Sequence, residues 1–281
     1  MTIKEALNQA VIMLKNENIE APKNKARMLL EATLKKSKEY IMIYDTEEIT
    51  SKQRDNYIRN VKRLIAGEPL QYITGKQEFM KLNFLVTKDV LIPRPDTEIL
   101  VEQVIKIAGG INNPVILDLC TGSGAIAVSL AKYVKNVKIY AIDISSKALD
   151  IAKQNAELNG VKNNIKFIES NLFEKIKDQK FDIIVSNPPY IETETIKKLS
   201  KDVQNEPKLA LDGGKDGLDF YRKISENGYK FLNRQGYLCL EIGYNQKIAV
   251  RKILENKKRY VNINCKKDLC GNDRVISAQI G

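Results

Sequence analysis

The spacing of apolar positions changes twice along the chain, and each change marks a different kind of structure. Over residues 1–66 the apolar positions recur every three or four, the helical period. Thr2-Ile3-Lys4-Glu5 places Thr at a cap and Glu three residues later, a capping box, and Leu7, Ala10, Val11 and Leu14 then share one face. A second helix is predicted over Pro22 to Leu34, with Ala26, Leu29, Leu30 and Leu34 in phase, and a short third over Glu39 to Tyr44. A fourth runs from Thr50 to Ala66 on Tyr57, Ile58, Val61, Leu64 and Ile65, and Gly67 is placed to end it. Residues 1–67 therefore read as a small helical bundle.

Between 68 and 95 the period shortens. Tyr72-Ile73-Thr74, Leu82 to Val86 and Val90-Leu91-Ile92 are short β-type runs among turn residues, which predicts a β-hairpin linker. Pro93-Arg94-Pro95-Asp96 then breaks the chain before a helix from Thr97 to Ala108.

Over 96–281 strand and helix patterns alternate. Strands are predicted at Val115–Leu119, Lys138–Ile142, Ile165–Ile168, Phe181–Val185, Tyr237–Ile242 and Val275–Ile280. Helices fall at Ala125–Lys132, Ser146–Asn159, Asp219–Leu232 and Gln246–Lys257. Helices of this length between strands imply an α/β fold, with a mostly parallel sheet covered on both faces. Such sheets bind ligands beyond the carboxyl ends of their strands. Gly122, Asp143 and Asn187 all stand at such ends, so one crevice can hold all three.

Composition narrows the chemistry. The 281 residues contain no histidine, which removes His-based triads and His-based zinc sites. Of the four cysteines only Cys265 and Cys270 are close in sequence, too few for a zinc site, so no metal is expected. No apolar run approaches the ~20 residues of a membrane span. The N-terminal segment carries Glu5 and no signal-peptide core, so a cytoplasmic protein is expected. The net charge of +11 permits acidic partners, but it is spread along the chain and comes mostly from lysine. Residues 1–66 hold 13 Lys+Arg against 9 Asp+Glu, so no basic helix marks that region.

Two turns carry candidate chemistry. In Asp118-Leu119-Cys120-Thr121-Gly122-Ser123-Gly124 a strand gives way to a helix through two glycines. Glycines let the backbone approach a ligand, and the helix N-terminus offers N–H groups to an anion. Ala127 stands where a dinucleotide fingerprint places its last glycine, and alanine is tolerated there, so the turn alone suits any nucleotide-like cofactor. Asp143 ends the next strand, 19 residues after Gly124. Its carboxylate either accepts both hydroxyls of a ribose or caps the following helix, a task Ser145 can take instead. At the end of the third strand, Asn171 can hydrogen-bond a base edge while Leu172 or Phe173 covers its face, or the three form a plain anchored loop.

Asn187-Pro188-Pro189-Tyr190 follows the apolar run Phe181 to Val185. Both prolines lock φ and hold the residues before them extended. What this rigid turn presents is acceptors, namely Asn187 Oδ1 and the Pro188 carbonyl, with the Tyr190 ring beside them. Two acceptors so placed can grip a planar –NH2 group and push electron density onto its nitrogen. The sulfonium methyl of S-adenosylmethionine is already electrophilic, so positioning carries most of such a methyl transfer. The two turns together read as a methyltransferase for an amino group on a planar system.

The chain resembles the bacterial peptide chain release factor glutamine methyltransferases, the PrmC/HemK family, over nearly its whole length. The resemblance lies in Glu68 to Gly75, Gln77 to Met80, Leu91 to Glu98, Asn205-Glu206-Pro207 with Leu209 to Leu211 and Gly213-Gly214, and Gly271 to Val275. The NPPY tetrapeptide itself is shared with adenine-N6 methyltransferases. The resemblance implies a helical domain for the substrate protein, a hairpin linker and a seven-stranded, Rossmann-like methyltransferase domain. It implies methylation of the glutamine amide in the Gly-Gly-Gln motif of release factors. By position, Cys120, Thr121, Gly122, Ser123, Gly124, Asp143, Asn171 and Leu172 would hold S-adenosylmethionine. Asn187 would touch cofactor and glutamine, and Pro188, Pro189 and Tyr190 the glutamine. Two positions depart from the family: Asn171 stands where many members carry Asp, and Cys120 where glycine is usual. A ribosomal-protein glutamine and a nucleic-acid adenine are the alternative targets. Arg94 and Glu98 either shape the substrate entrance or brace the helix that follows, and Glu206 likewise stays open.

Overall fold

A computed structural model describes residues 1–281, which divide into two compact units. The first comprises Met1–Lys76 with Ser200–Asn205, and the second Gln77–Leu199 with Glu206–Gly281.

The first unit is helical: α1 Ile3–Asn16, α2 Pro22–Leu34, α3 Lys38–Ile43, α4 Ser51–Ile65 and α5 Leu70–Thr74. Its capping box closes as expected, with the Thr2 hydroxyl accepting from Glu5 N and Glu5 Oε2 accepting from Thr2 N. Thr50 and Gln53 repeat the device at α4. Leu14, Leu29, Leu30, Tyr57 and Val61 are fully buried in one core, and the Tyr57 hydroxyl donates to Ala26 O at 2.9 Å. Tyr72-Ile73-Thr74 is helical, not extended as its β-branched residues suggest. Pro69 starts the turn and Gly75, at φ 72°, ends it.

The second unit opens with a hairpin, β1 Lys76–Phe79 and β2 Leu82–Leu85, followed by α6 Pro95–Ala108. Val90 to Ile92, read as β-type, is irregular. Then come β3 Val115–Leu119, α7 Ala125–Tyr133, β4 Lys138–Asp143, α8 Ser146–Leu158, β5 Ile165–Glu169 and β6 Phe181–Ser186. Three one-turn helices follow at Thr193–Ile196 (α9), Lys201–Gln204 (α10, in the first unit) and Lys208–Leu211 (α11). The chain ends with α12 Asp219–Gly228, β7 Leu232–Glu241, α13 Lys247–Glu255, β8 Tyr260–Lys267 and β9 Asp273–Ile280. No helix is long and apolar enough to cross a membrane.

The large sheet has seven strands in the order β5-β4-β3-β6-β7-β9-β8. Neighbours from β5 to β7 are parallel, and β9 runs antiparallel to both β7 and β8. Strand alternation splits the core in two. Ile116, Ile139, Ile183 and Val185 face α6, α7 and α8, whereas Leu117, Leu119, Ile142 and Ile184 face α12 and α13. The strand order matters for function. After β3 the chain builds β4 and β5 on one side, then returns to place β6 on the other. The carboxyl ends of β3 and β6 therefore flank the point where the winding reverses, the place such sheets leave a crevice.

Candidate active site

The turn after β3 is shaped by left-handed backbone. Cys120, Gly122 and Gly124 stand at φ 59°, 55° and 80°. Gly124 caps α7, and a Cβ there would lie 3.0 Å from that of Ala152, so the helix packs too closely for a side chain. At Gly122 a Cβ would meet nothing within 4 Å, so the backbone there borders open space. Cys120 bears a side chain in a conformation that favours glycine, which costs about 1 kcal/mol. Burial raises its thiol pKa above the usual range.

Asp143 ends β4 beside this turn. One carboxylate oxygen accepts from Gly122 N at 2.8 Å and the other from Ser145 N at 2.9 Å. Burial raises its carboxyl while these N–H groups and that of Ile144 hold it down. The Ser145 hydroxyl caps α8 by accepting from Ala148 N. Beneath the turn, Asp118 is fully buried and burial pushes its carboxyl up to about 7. It accepts the Thr121 hydroxyl at 2.6 Å.

The turn after β6 is held from behind. Ser186 Oγ donates to Leu119 O at 2.7 Å, tying it to the first turn. Pro188 and Pro189 are buried. Gln246 Nε2 donates to Tyr190 O at 2.9 Å, and Ile191 exchanges backbone bonds with Leu211 and Gly213. A Cβ on Gly213 would lie 2.7 Å from Tyr190 Cα, and one on Gly217 2.4 Å from Tyr190 O. Only glycine fits against the tetrapeptide at these two places. The Tyr190 hydroxyl lies 3.4 Å from Glu241 Oε1, and burial raises its pKa. Asn187 Nδ2 donates to Thr97 Oγ1 at 3.1 Å.

A cavity of about 250 Å³ opens between the two turns. Of the residues singled out in the sequence, Cys120, Gly122, Asp143, Asn171, Leu172, Asn187 and Pro189 line it. Thr121, Ser123, Gly124, Pro188 and Tyr190, which the sequence also pointed to, are not among its lining residues. Asn171 Nδ2 donates to Glu174 Oε1 at 2.7 Å. Val90, Leu91, Pro207, Leu209 and Phe220 are among the other residues of the cavity walls.

Several supporting residues were not legible as such. Asn155 is fully buried in α8 and donates to both Leu85 O and Ser123 O, joining hairpin and glycine turn. Glu206 accepts from Ile92 N at 2.9 Å and from the Arg94 guanidinium, so it joins the two segments that form one wall. Glu98 Oε1 accepts from Met80 N at 2.6 Å, which makes it a brace for the hairpin. Glu241 ends β7, and burial pushes it up to about 7 while Thr97 and Arg274 favour its charged form. A charge directly after the apolar residues Leu238, Cys239 and Leu240 was the signal available for it.

The chain matches the family models "Methyltransferase small domain" over residues 95–215 and "PrmC N-terminal domain" over residues 5–75. It is similar to the release factor glutamine methyltransferase of Clostridium acetobutylicum, at 43% identity over all of this chain and 99% of the relative. It is also similar to that of Moorella thermoacetica, at 39% identity over 99% of this chain and 98% of the relative. Among solved structures, a methyltransferase from Pyrococcus furiosus shares the fold, with a TM-score of 0.54 at 19% identity, over 82% of this chain and 98% of that one.

Proposed function

The chain belongs to the family of release factor glutamine methyltransferases, and on that premise we propose that it methylates the side-chain amide nitrogen of the glutamine in the Gly-Gly-Gln motif of peptide chain release factors, with S-adenosylmethionine as donor. The observation that carries this is the placement of the rigid Asn-Pro-Pro-Tyr turn and of the glycine turn, with its open backbone at Gly122 beside Asp143, on one cavity at the switch point of the sheet.

The residues present suit the donor. Gly122 faces open space, the N-terminus of α7 lies beside it, and the Asp143 carboxylate lines the same cavity. In our assignment Asp143 holds the ribose hydroxyls and Cys120 to Gly124 the amino-acid end. The Asn171 carbonyl oxygen accepts from the adenine amino group, and Leu172 lies along its face. S-adenosylmethionine, when bound, supplies an electrophilic methyl group, so the protein's share of the reaction is orientation. An amide nitrogen is a weak nucleophile because its lone pair is delocalised into the carbonyl. Asn187 Oδ1 and the Pro188 carbonyl accept from its N–H groups, which aims the nitrogen and returns electron density to it. Pro189, which lines the cavity, confines the planar amide. The methylated nitrogen is acidic and releases its proton to solvent, so the absence of histidine is no obstacle.

We assign residues 1–67 to holding the substrate protein, 68–95 to the linker and 96–281 to methyl transfer. The test is transfer from labelled S-adenosylmethionine to purified release factor, beside a Gly-Gly-Gln→Gly-Gly-Ala variant, a ribosomal protein fraction and duplex DNA. Label on the parent factor alone is expected. Label on the variant, the ribosomal fraction or the DNA instead moves the target to another amide or amine.

A further inference from the structure

The Gln246 carboxamide is buried against the Asn-Pro-Pro-Tyr turn with each of its polar positions engaged. Nε2 donates to Tyr190 O at 2.9 Å and to Gly217 O at 3.2 Å. Oε1 accepts from Gly243 N at 2.9 Å and from the Tyr221 hydroxyl at 3.3 Å. These bonds use both protons of the amide and both lone pairs of its oxygen. The backbone alone decides which way the group points. Tyr190 O and Gly217 O can only accept and Gly243 N can only donate, so a flipped carboxamide would lose all three bonds. Gln246 N donates back to Gly243 O at 2.9 Å, which pins the residue at the start of α13. Glycines admit the carboxamide on two sides: a Cβ on Gly217 would lie 2.8 Å from Nε2, and one on Gly243 2.9 Å from Oε1.

The bond to Tyr190 O falls where it fixes the turn. At its near end the turn leaves β6, and Ser186 Oγ donates to Leu119 O. At its far end Gln246 holds Tyr190 O, and Ile191 N donates to Leu211 O at 3.0 Å. Between these ends Pro188 and Pro189 have locked φ, and Asn187 and Pro188 are each restricted by the proline that follows. A chain this stiff transmits the position of Tyr190 to Pro189 and Asn187, which line the cavity. We propose that Gln246 is a positioning residue for methyl transfer, which anchors the far end of the turn and so sets where Asn187 meets the substrate amide. Gln246 does not line the cavity and acts through the turn alone. The role rests on the assignment of Asn187 as an acceptor in the proposed function.

The test uses Q246M, which keeps the length of the side chain and removes its donor and acceptor. On release factor, Q246M is expected to lower kcat about 10- to 100-fold through misplacement of the acceptor, with KM and S-adenosylmethionine affinity little changed. In the free protein, NMR is expected to show the Gln246 side-chain NH2 of the parent exchanging slowly, and the Asn187 side-chain signals displaced in Q246M. If Q246M does not fold, Q246L is measured in its place. A Gln246 NH2 that exchanges as freely as an exposed amide overturns the proposal without any variant. Unchanged Asn187 signals in the folded variant overturn it whatever the substrate proves to be. So does a loss of cofactor affinity as large as the loss in kcat, which marks a general loosening of the second unit. A parent enzyme that leaves release factor unlabelled overturns the substrate assignment instead, and the NMR comparison still decides the role of Gln246.

Discussion

The turns after β3 and β6 leave neighbouring parallel strands, paired from Ile116 with Ile183 to Leu119 with Ser186, yet they are built from opposite chemistry. The first bends through the left-handed region at Cys120, Gly122 and Gly124, and its Gly122 N–H is donated to Asp143. The second runs through two prolines, which lack an N–H and hold the backbone rigid. The first borders open space at Gly122, while the second is packed from behind by Gly213 and Gly217 and bound by Gln246. An accessible backbone at Gly122 beside the Asp143 carboxylate suits a ligand bearing hydroxyls. A rigid row of acceptors suits a neutral amide that must be held still. If each turn holds one reactant, as proposed, their juxtaposition is itself a large part of catalysis.

If the two turns divide the labour in this way, substitutions should separate binding from turnover. Asn187→Ala is expected to have the largest effect, lowering turnover about 100-fold or more, the scale of removing one aligned donor or acceptor from a reaction centre. Cofactor affinity measured by calorimetry should hold. Asp143→Ala should do the reverse, weakening S-adenosylmethionine about 10- to 100-fold through lost hydrogen bonds to a charged group. Equal cofactor affinity in Asp143→Ala and the parent would break the comparison at its first side. Gly217→Ala forces a Cβ to within 2.4 Å of Tyr190 O at φ 70°. It should destabilise the protein by about 2–4 kcal/mol in a denaturant melt, and turnover should fall before cofactor binding does. The smallest effect is expected at Cys120→Gly, which relieves the strained backbone at φ 59°. A gain of about 1 kcal/mol in the same melt is expected, with turnover retained. A loss of stability there would mean the thiol packs better than its backbone suggests.

The second unit was largely legible because its signals are local. Five parallel-type apolar runs, the glycine turn and the proline turn follow from residues adjacent in sequence. Where the sequence misled, a local pattern competed with a tertiary partner. Tyr72-Ile73-Thr74 carries β-type residues but is wound by Pro69 and Gly75 into a helical turn that buries Leu70. The seventh strand, Tyr260–Lys267, escaped the alternation of apolar runs because it lies at the sheet edge, where most of its side chains are exposed. Its lysines read as loop yet suit an edge that must not pair further.

By itself the sequence determined the alternation of strands and helices, and with it the carboxyl ends at which Gly122, Asp143 and Asn187 stand. Periodicity, φ-locking by proline and φ-freedom in glycine act within a few residues, so they can be read without the fold. Only the tertiary structure decided which distant groups support those residues. Thr97 and Asn187 are far apart in the chain, as are Ile92 and Glu206, or Gly217 and the Tyr190 carbonyl they meet. Such pairings depend on the strand order and on helix packing. A buried carboxylate such as Glu241 meets its partner, the Tyr190 hydroxyl, only when the sheet brings distant segments together.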